Sequence, residues 1–332
     1  AWSIPCLIWA FAQNFWWFLA AANCNSMYQI TNVPWTCLFV EDCDPKKMVN
    51  AFTWIQVTGL IAVFFAPLAT LLVDWFTMVT AVRFIYFFSF VSMTAKFVIL
   101  FIRGTETEQG RKRMAETKDE SLFHLFVGYK DVFLKMLHSP AMMFVVVFMV
   151  LNNIYTMVTT NFFSLYITQN LGVAEQLVAI FPMVRAAVML VFILLAQNFF
   201  NRMKYRVVMT AGLILYIISH AVLLLAPPQE LLLIWVYTFV EAFAFALVNP
   251  RKDSISALFI DKEERSRAYG LLFVIIIAFS TPFGWLVGFL SSLNRTLPFL
   301  LNIVVFGVCI VLVLCSSTLR RHDEEGLGME TD

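Results

Sequence analysis

Nine stretches of apolar residues, almost free of charge, alternate with short polar gaps along this chain. They run from about Ile4 to Tyr28, Phe52 to Val73, Val79 to Ile102, Ala141 to Ile167, Leu177 to Phe200, Val207 to Leu225, Leu231 to Val248, Tyr269 to Leu290 and Leu297 to Ser317. Segments of about 18 residues or more can cross a hydrocarbon core roughly 30 Å thick as helices, which satisfy their own backbone hydrogen bonds. The expected fold is therefore all-α, a polytopic membrane helix bundle of about nine transmembrane helices. Turn signals fall between the runs at Asp44-Pro45, Ser139-Pro140, Gly172, Pro227-Pro228, Asn249-Pro250 and Asn294, where helices are expected to end.

Composition agrees: 61% of residues are hydrophobic, 35 are Phe and only 14% are charged. A soluble domain could not keep that much apolar surface from water. Charge then orients the bundle. Nineteen of the 23 Lys and Arg residues occupy alternate gaps: Lys46 and Lys47; Arg103 to Lys135; Arg202, Lys204 and Arg206; Arg251 to Arg267; Arg320 and Arg321. Only Arg83 and Arg295 occupy the others. Basic gaps stay on the cytoplasmic side, so the carboxy terminus is expected in the cytoplasm of a cell-membrane protein. Ala1 then lies outside, and an odd helix count with a bare external start leads to the expectation that helices precede it in a longer chain. The alternative is a nine-helix protein whose first helix inserts from outside.

The longest polar gap, about Arg103 to Ser139, divides three runs from six. Within it, Leu122, Leu125, Phe126, Tyr129, Phe133 and Leu137 recur at helical spacing among Lys130, Asp131 and Lys135. This predicts an amphipathic helix over Ser121 to Leu137 that lies at the cytoplasmic interface or packs on the bundle. An internal echo relates Leu38 to Asp42 with Leu258 to Asp261; each follows an Asn-containing break, Asn32 to Pro34 and Asn249-Pro250, and leads into the next helix.

In these features the chain resembles the major facilitator superfamily, whose members join two six-helix halves by a long cytoplasmic loop. The resemblance implies a partial first bundle at residues 1–102 (helices four to six), a central loop at 103–139, a complete six-helix bundle at 140–318 and a cytoplasmic tail at 319–332. Asn201-Arg202-Met203-Lys204-Tyr205-Arg206 stands where the second half carries its basic loop motif, though without the motif's Gly and Asp.

Three charges remain inside apolar runs: Lys96, Arg185 and Glu241. A charge at the centre of a membrane helix costs roughly 2.5 to 3.5 kcal/mol on insertion scales and is seldom idle. Lys96 is close enough to its helix end to snorkel. Arg185 and Glu241 lie about ten residues, or roughly 15 Å, from the same side. They are expected to meet at mid-depth, where Arg185 binds an anionic or polar solute group and Glu241 pairs with it or carries a coupling proton. A permanent structural ion pair is the competing reading.

Asn152, Asn153 and Thr156 in the fourth run, and Gln13 and Asn14 in the first, lie at similar depth, with Trp17 and Tyr155 beside them. They either line a solute path or serve as interhelical hydrogen-bond glue. Pro182, Pro282, Gly284 and Gly288 mark helices expected to bend in alternating access.

Other chemistries recede. The six cysteines form no Cys-x-x-Cys pair near His, so no metal site or cofactor is expected. No phosphate-binding glycine loop appears, which argues against an ATP-driven pump, and enzyme activity is not expected. A net charge of +1, with its basic residues accounted for by topology, leaves nothing for nucleic acid. The expected function is secondary active transport of a small-molecule substrate across the lipid bilayer, coupled to a proton or sodium ion. Alternatives are a non-transporting membrane sensor and an inactive fragment of a transporter.

Overall fold

The computed structural model describes residues 2–41, 43–44, 47–116, 122–178, 180–201, 203–260 and 264–328. Lys46, Lys118, Ser121, Arg202 and Lys262, all part of the sequence reading, lie outside them. The described residues form helices throughout: α1 (Ser3–Phe11), α2 (Phe15–Ser26), α3 (Tyr28–Val40), α4 (Met48–Val63), α5 (Ala66–Trp75), α6 (Met78–Arg103), α7 (Glu108–Glu116) and α8 (Leu122–His138). They continue as α9 (Pro140–Gln169), α10 (Glu175–Val178), α11 (Ile180–Asn201), α12 (Tyr205–Leu225), α13 (Leu231–Phe259), α14 (Arg265–Leu293), α15 (Leu297–Cys315) and α16 (Ser317–Gly328).

Among the described residues, six helices are long and apolar enough to cross a membrane: α6, α9, α12, α13, α14 and α15. The expected count of nine is not confirmed, and local chemistry shows why. The first apolar run is cut at Ala12 to Asn14: Asn14 adopts extended backbone and its side chain accepts the Trp17 amide at 3.4 Å, capping α2. The second run is cut before Pro67, which sits in the first turn of α5. Helix α4 is apolar but shorter, and α11 is apolar over Ile180–Ala196.

Two expected breaks do not occur. Pro34 lies inside α3, and α13 continues past Asn249-Pro250 to Phe259. At the second, the buried Arg251 side chain donates to the Leu247 carbonyl at 3.0 Å, supplying a donor within the turn that a proline disturbs. Other signals hold: the Ser139 hydroxyl accepts the Met142 amide and Pro140 opens α9. Gly172 takes a positive φ of 68° after α9, where the Gln229 amide bonds the Leu171 carbonyl at 2.7 Å.

The chain separates into two compact units. In the first, α1 lies along α6 and against α2, while α5 also packs on α6. Arg83, counted among the gap residues in the sequence, instead sits within α6 and donates from Nη2 to the Ala12 carbonyl at 3.0 Å. It thereby satisfies a group exposed by the α1–α2 break. At the polar end, Thr107 donates to Glu41 at 2.5 Å.

In the second unit α13 is central, packed by α12, α11, α4 and α9, with α15 against α12 and α9. Gly212 allows the closest approach: a Cβ there would stand 2.6 Å from Val248 Cγ2 and 3.2 Å from Leu247 Cβ. Side chains from α4 (Val57, Leu60), α11 (Ala186, Met189, Ile193) and α13 (Ala242, Ala246) form one apolar core.

Candidate functional site

Ala186 and Ala242 of that core adjoin in sequence the two charges that the sequence singled out. Arg185 on α11 and Glu241 on α13 form an ion pair: Nε donates to Oε2, and Nη2 to Oε1 at 2.8 Å. The Arg185 guanidinium also lies 4.6 Å from the centre of the Phe245 ring, one turn along α13 from Glu241. Tyr155 of α9 donates its hydroxyl to Glu241 Oε1. Three helices thus converge on one carboxylate whose side chain is 1% exposed.

The two partners are not equally enclosed. The Arg185 side chain is 31% exposed, and its Nη1 bonds no described residue. Arg185 therefore has one edge committed to Glu241 and the other edge open.

Behind the pair lies an aromatic and polar layer that the sequence reading did not assemble. Tyr155 stands 4.9 Å from both Tyr216 and Phe306, ring centre to ring centre, and 6.0 Å from His220. Tyr216 and Phe306 stack at 4.6 Å. His220 is fully buried. Its Nδ1 faces the Tyr216 carbonyl at 2.9 Å, and its Nε2 faces Asn302 Nδ2 at 3.1 Å. With the proton on Nδ1 both contacts are satisfied by a neutral ring. The available signal was spacing: Tyr216 with His220, and Tyr237 with Glu241, each recur four residues apart and so share a helix face.

The other candidates disperse. Asn152 accepts from Lys252 Nζ at 3.2 Å, Asn153 donates to Ser280 of α14 at 2.9 Å, and Thr156 donates back to the Asn152 carbonyl. None of the three hydrogen-bonds Arg185 or Glu241; Asn153 and Thr156 project from other faces of α9 than Tyr155 does. Gln13, Asn14 and Trp17 belong to the first unit; Gln13 and Asn14 are exposed, and Trp17 is 45% exposed. Lys96 lies over aromatic faces, 5.0 Å from the Trp35 ring centre, 5.4 Å from Phe97 and 5.5 Å from Trp2.

A family model described as Major Facilitator Superfamily matches residues 153–332, more than half the chain and all the helices that supply the pair except the start of α9. The chain belongs to the Major Facilitator Superfamily. As a superfamily member it is a membrane transporter by kind. Its fold is similar to the crystal structure of a bacterial homologue of the iron transporter ferroportin in the outward-facing state. That match has a TM-score of 0.67 at 12% identity and covers 93% of this chain and 76% of the other. The same outward-facing homologue with soaked iron gives a TM-score of 0.68 at 12% identity, over 94% and 78% of the two chains. No curated protein matches the sequence.

Proposed function

We propose that this chain is a secondary active transporter that moves a small solute carrying an anionic group by alternating access, with uptake coupled to a proton. The observation that carries the reading is the asymmetry of the central pair. Glu241 is buried and holds two nitrogens of Arg185, while the Arg185 side chain is 31% exposed and its Nη1 bonds no described residue.

An incoming carboxylate or phosphate would compete with Glu241 for the guanidinium, which offers planar, forked donors suited to either. Once displaced, Glu241 would be a buried carboxylate left with Tyr155 as its donor among the described residues, and a proton entering with the solute would restore neutrality there. Solute binding and proton uptake at Glu241 would then be linked, as symport requires. The iron of the structural neighbour's name does not carry over: likeness at 12% identity speaks for the fold, and the less enclosed member of the pair is a cation, which repels metal ions.

The proposed organisation keeps the partial bundle at 1–102, the loop at 103–139, the six-helix bundle at 140–318 and the tail at 319–332, with the basic ends cytoplasmic and the protein in the cell membrane. Reconstituted into vesicles, the chain should take up a radiolabelled anionic solute against its gradient when the lumen is alkaline. Glu241→Gln should abolish uphill uptake and leave solute exchange intact. Uphill uptake surviving in Glu241→Gln, or depending on sodium and not on the pH gradient, would overturn the coupling role. A well-folded chain showing neither uptake nor exchange for any anion would favour a sensor or an inactive fragment.

A further inference from the structure

At the opposite end of α12 from the aromatic layer, a recess of about 710 Å³ opens between the start of α12, the end of α15 and the tail helix α16. Its volume falls within the roughly 300–1,000 Å³ of small-molecule sites. Lys204, Arg206 and Arg320 form one end, and Val207, Ala211, Ile214 and Leu314 form the floor. Val207, Ala211 and Ile214 recur at helical spacing, so the floor is a stripe running along α12 away from the basic end. From Lys204 to Ile214 the stripe is about 15 Å long at 1.5 Å per residue. That equals the hydrocarbon depth of about one leaflet in a core roughly 30 Å thick.

The charges at the mouth are unequally engaged. Asp323 is buried and accepts the Tyr205 amide at 2.8 Å and the Arg206 amide at 3.2 Å, capping α12. The Arg206 guanidinium donates to the Val313 and Leu314 carbonyls, which ends α15. Lys204 and Arg320 are exposed, and their side chains bond no described residue. Glu324 also lines the mouth, exposed and bonded to no cation among the described residues. The free charge is therefore net positive. Val207, Ile214 and Leu314 remain 48%, 45% and 45% exposed.

A cationic mouth above an exposed apolar stripe is complementary to an anionic amphiphile. We propose that this recess holds one anionic phospholipid from the leaflet at the basic end of the bundle, its phosphate between Lys204 and Arg320 and one acyl chain along Val207, Ala211 and Ile214. The site is independent of the Arg185–Glu241 reading, because it shares no residue with that pair.

The purified full chain in detergent can be titrated with dioleoylphosphatidylglycerol and read by native mass spectrometry. Dioleoylphosphatidylcholine and inorganic phosphate form separate arms. One phosphatidylglycerol should be retained per chain, with little phosphatidylcholine and no displacement by equimolar phosphate. Lys204→Gln with Arg320→Gln should weaken retention about 30-fold, from about fivefold per basic group near a membrane surface. Ile214→Trp, which fills the stripe and leaves both charges in place, should weaken it as well. If the double variant fails to fold, the Ile214→Trp arm still decides. Equal retention by the unaltered chain and the variants, equal retention of phosphatidylcholine, or displacement by inorganic phosphate would each overturn the proposal.

Discussion

Lys96 and Arg185 are both cations within long apolar helices, yet their neighbours treat them differently. Lys96 in the first unit is exposed and faces the rings of Trp2, Trp35 and Phe97, with no ion pair to a carboxylate among the described residues. Arg185 in the second unit is bound to a carboxylate enclosed by three helices. Aromatic faces offer a diffuse attraction that any cation of similar reach can use. A buried carboxylate fixes the guanidinium in one orientation and leaves a charge stranded when either partner is removed. A position of the first kind tolerates change; one of the second kind couples stability to function.

The largest effect is expected from Glu241→Leu. Breaking a buried pair costs about 3 to 5 kcal/mol, and the partial exposure of Arg185 places this case near about 3. Restoring neutrality with Arg185→Met in the Glu241→Leu background should recover most of that loss while transport stays absent. Thermal unfolding in detergent, measured beside vesicle uptake, checks both halves. A double variant as unstable as the single one would mean that the pair is not what Glu241 contributes.

Tyr155→Phe comes next. It removes the hydroxyl donated to Glu241 and keeps the ring against Tyr216 and Phe306. A hydrogen bond to a charged group is worth about 1.5 to 3 kcal/mol, so a loss of about 2 is expected. Because the hydroxyl bonds the carboxylate proposed to carry the proton, Tyr155→Phe should also weaken the dependence of uptake on the pH gradient; an unchanged dependence would separate Tyr155 from the coupling step.

These partners show how far the residues alone could be read. Hydropathy spacing located every long helix, because a membrane segment must satisfy its own backbone and so announces itself by length. Equal depth also brought Arg185 and Glu241 together, since helices of like length run through one slab. Sidedness was less visible. Asn153 and Tyr155 are two residues apart at the same depth, but α9 turns them to different faces, toward Ser280 and Glu241 respectively. The break at Asn14 escaped because capping by a polar side chain and glue within a continuous helix look alike in sequence. The run through Pro250 escaped for a complementary reason: proline removes the donor to the carbonyl four residues back, that of Ala246, and the Arg251 side chain braces the next carbonyl, that of Leu247.

A smaller effect tests whether the second unit depends on charge alone. Gly212→Val would drive its side chain into Val248 and Leu247 and push α12 from α13, the helix that carries Glu241. Overpacking of this kind costs about 1 to 3 kcal/mol, and about 1.5 is expected where a helix pair can shift slightly. Solute affinity should fall together with melting temperature while proton coupling persists, whereas Glu241→Gln should abolish coupling.

The smallest effect is expected where the comparison began. Lys96→Met keeps an unbranched apolar side chain beside Trp2, Trp35 and Phe97 and removes only the ammonium. Exposed cation–π contacts are worth about 0.5 to 1 kcal/mol, and removing a charge from an apolar helix regains part of that. Melting temperature and uptake in Lys96→Met should therefore stay close to those of the unaltered chain. Lys96→Glu should be worse than Lys96→Met, because a carboxylate meets the negative faces of the same rings. A Lys96→Met variant that folds normally yet loses uptake would make the aromatic cluster a second working site and erase the contrast with Arg185.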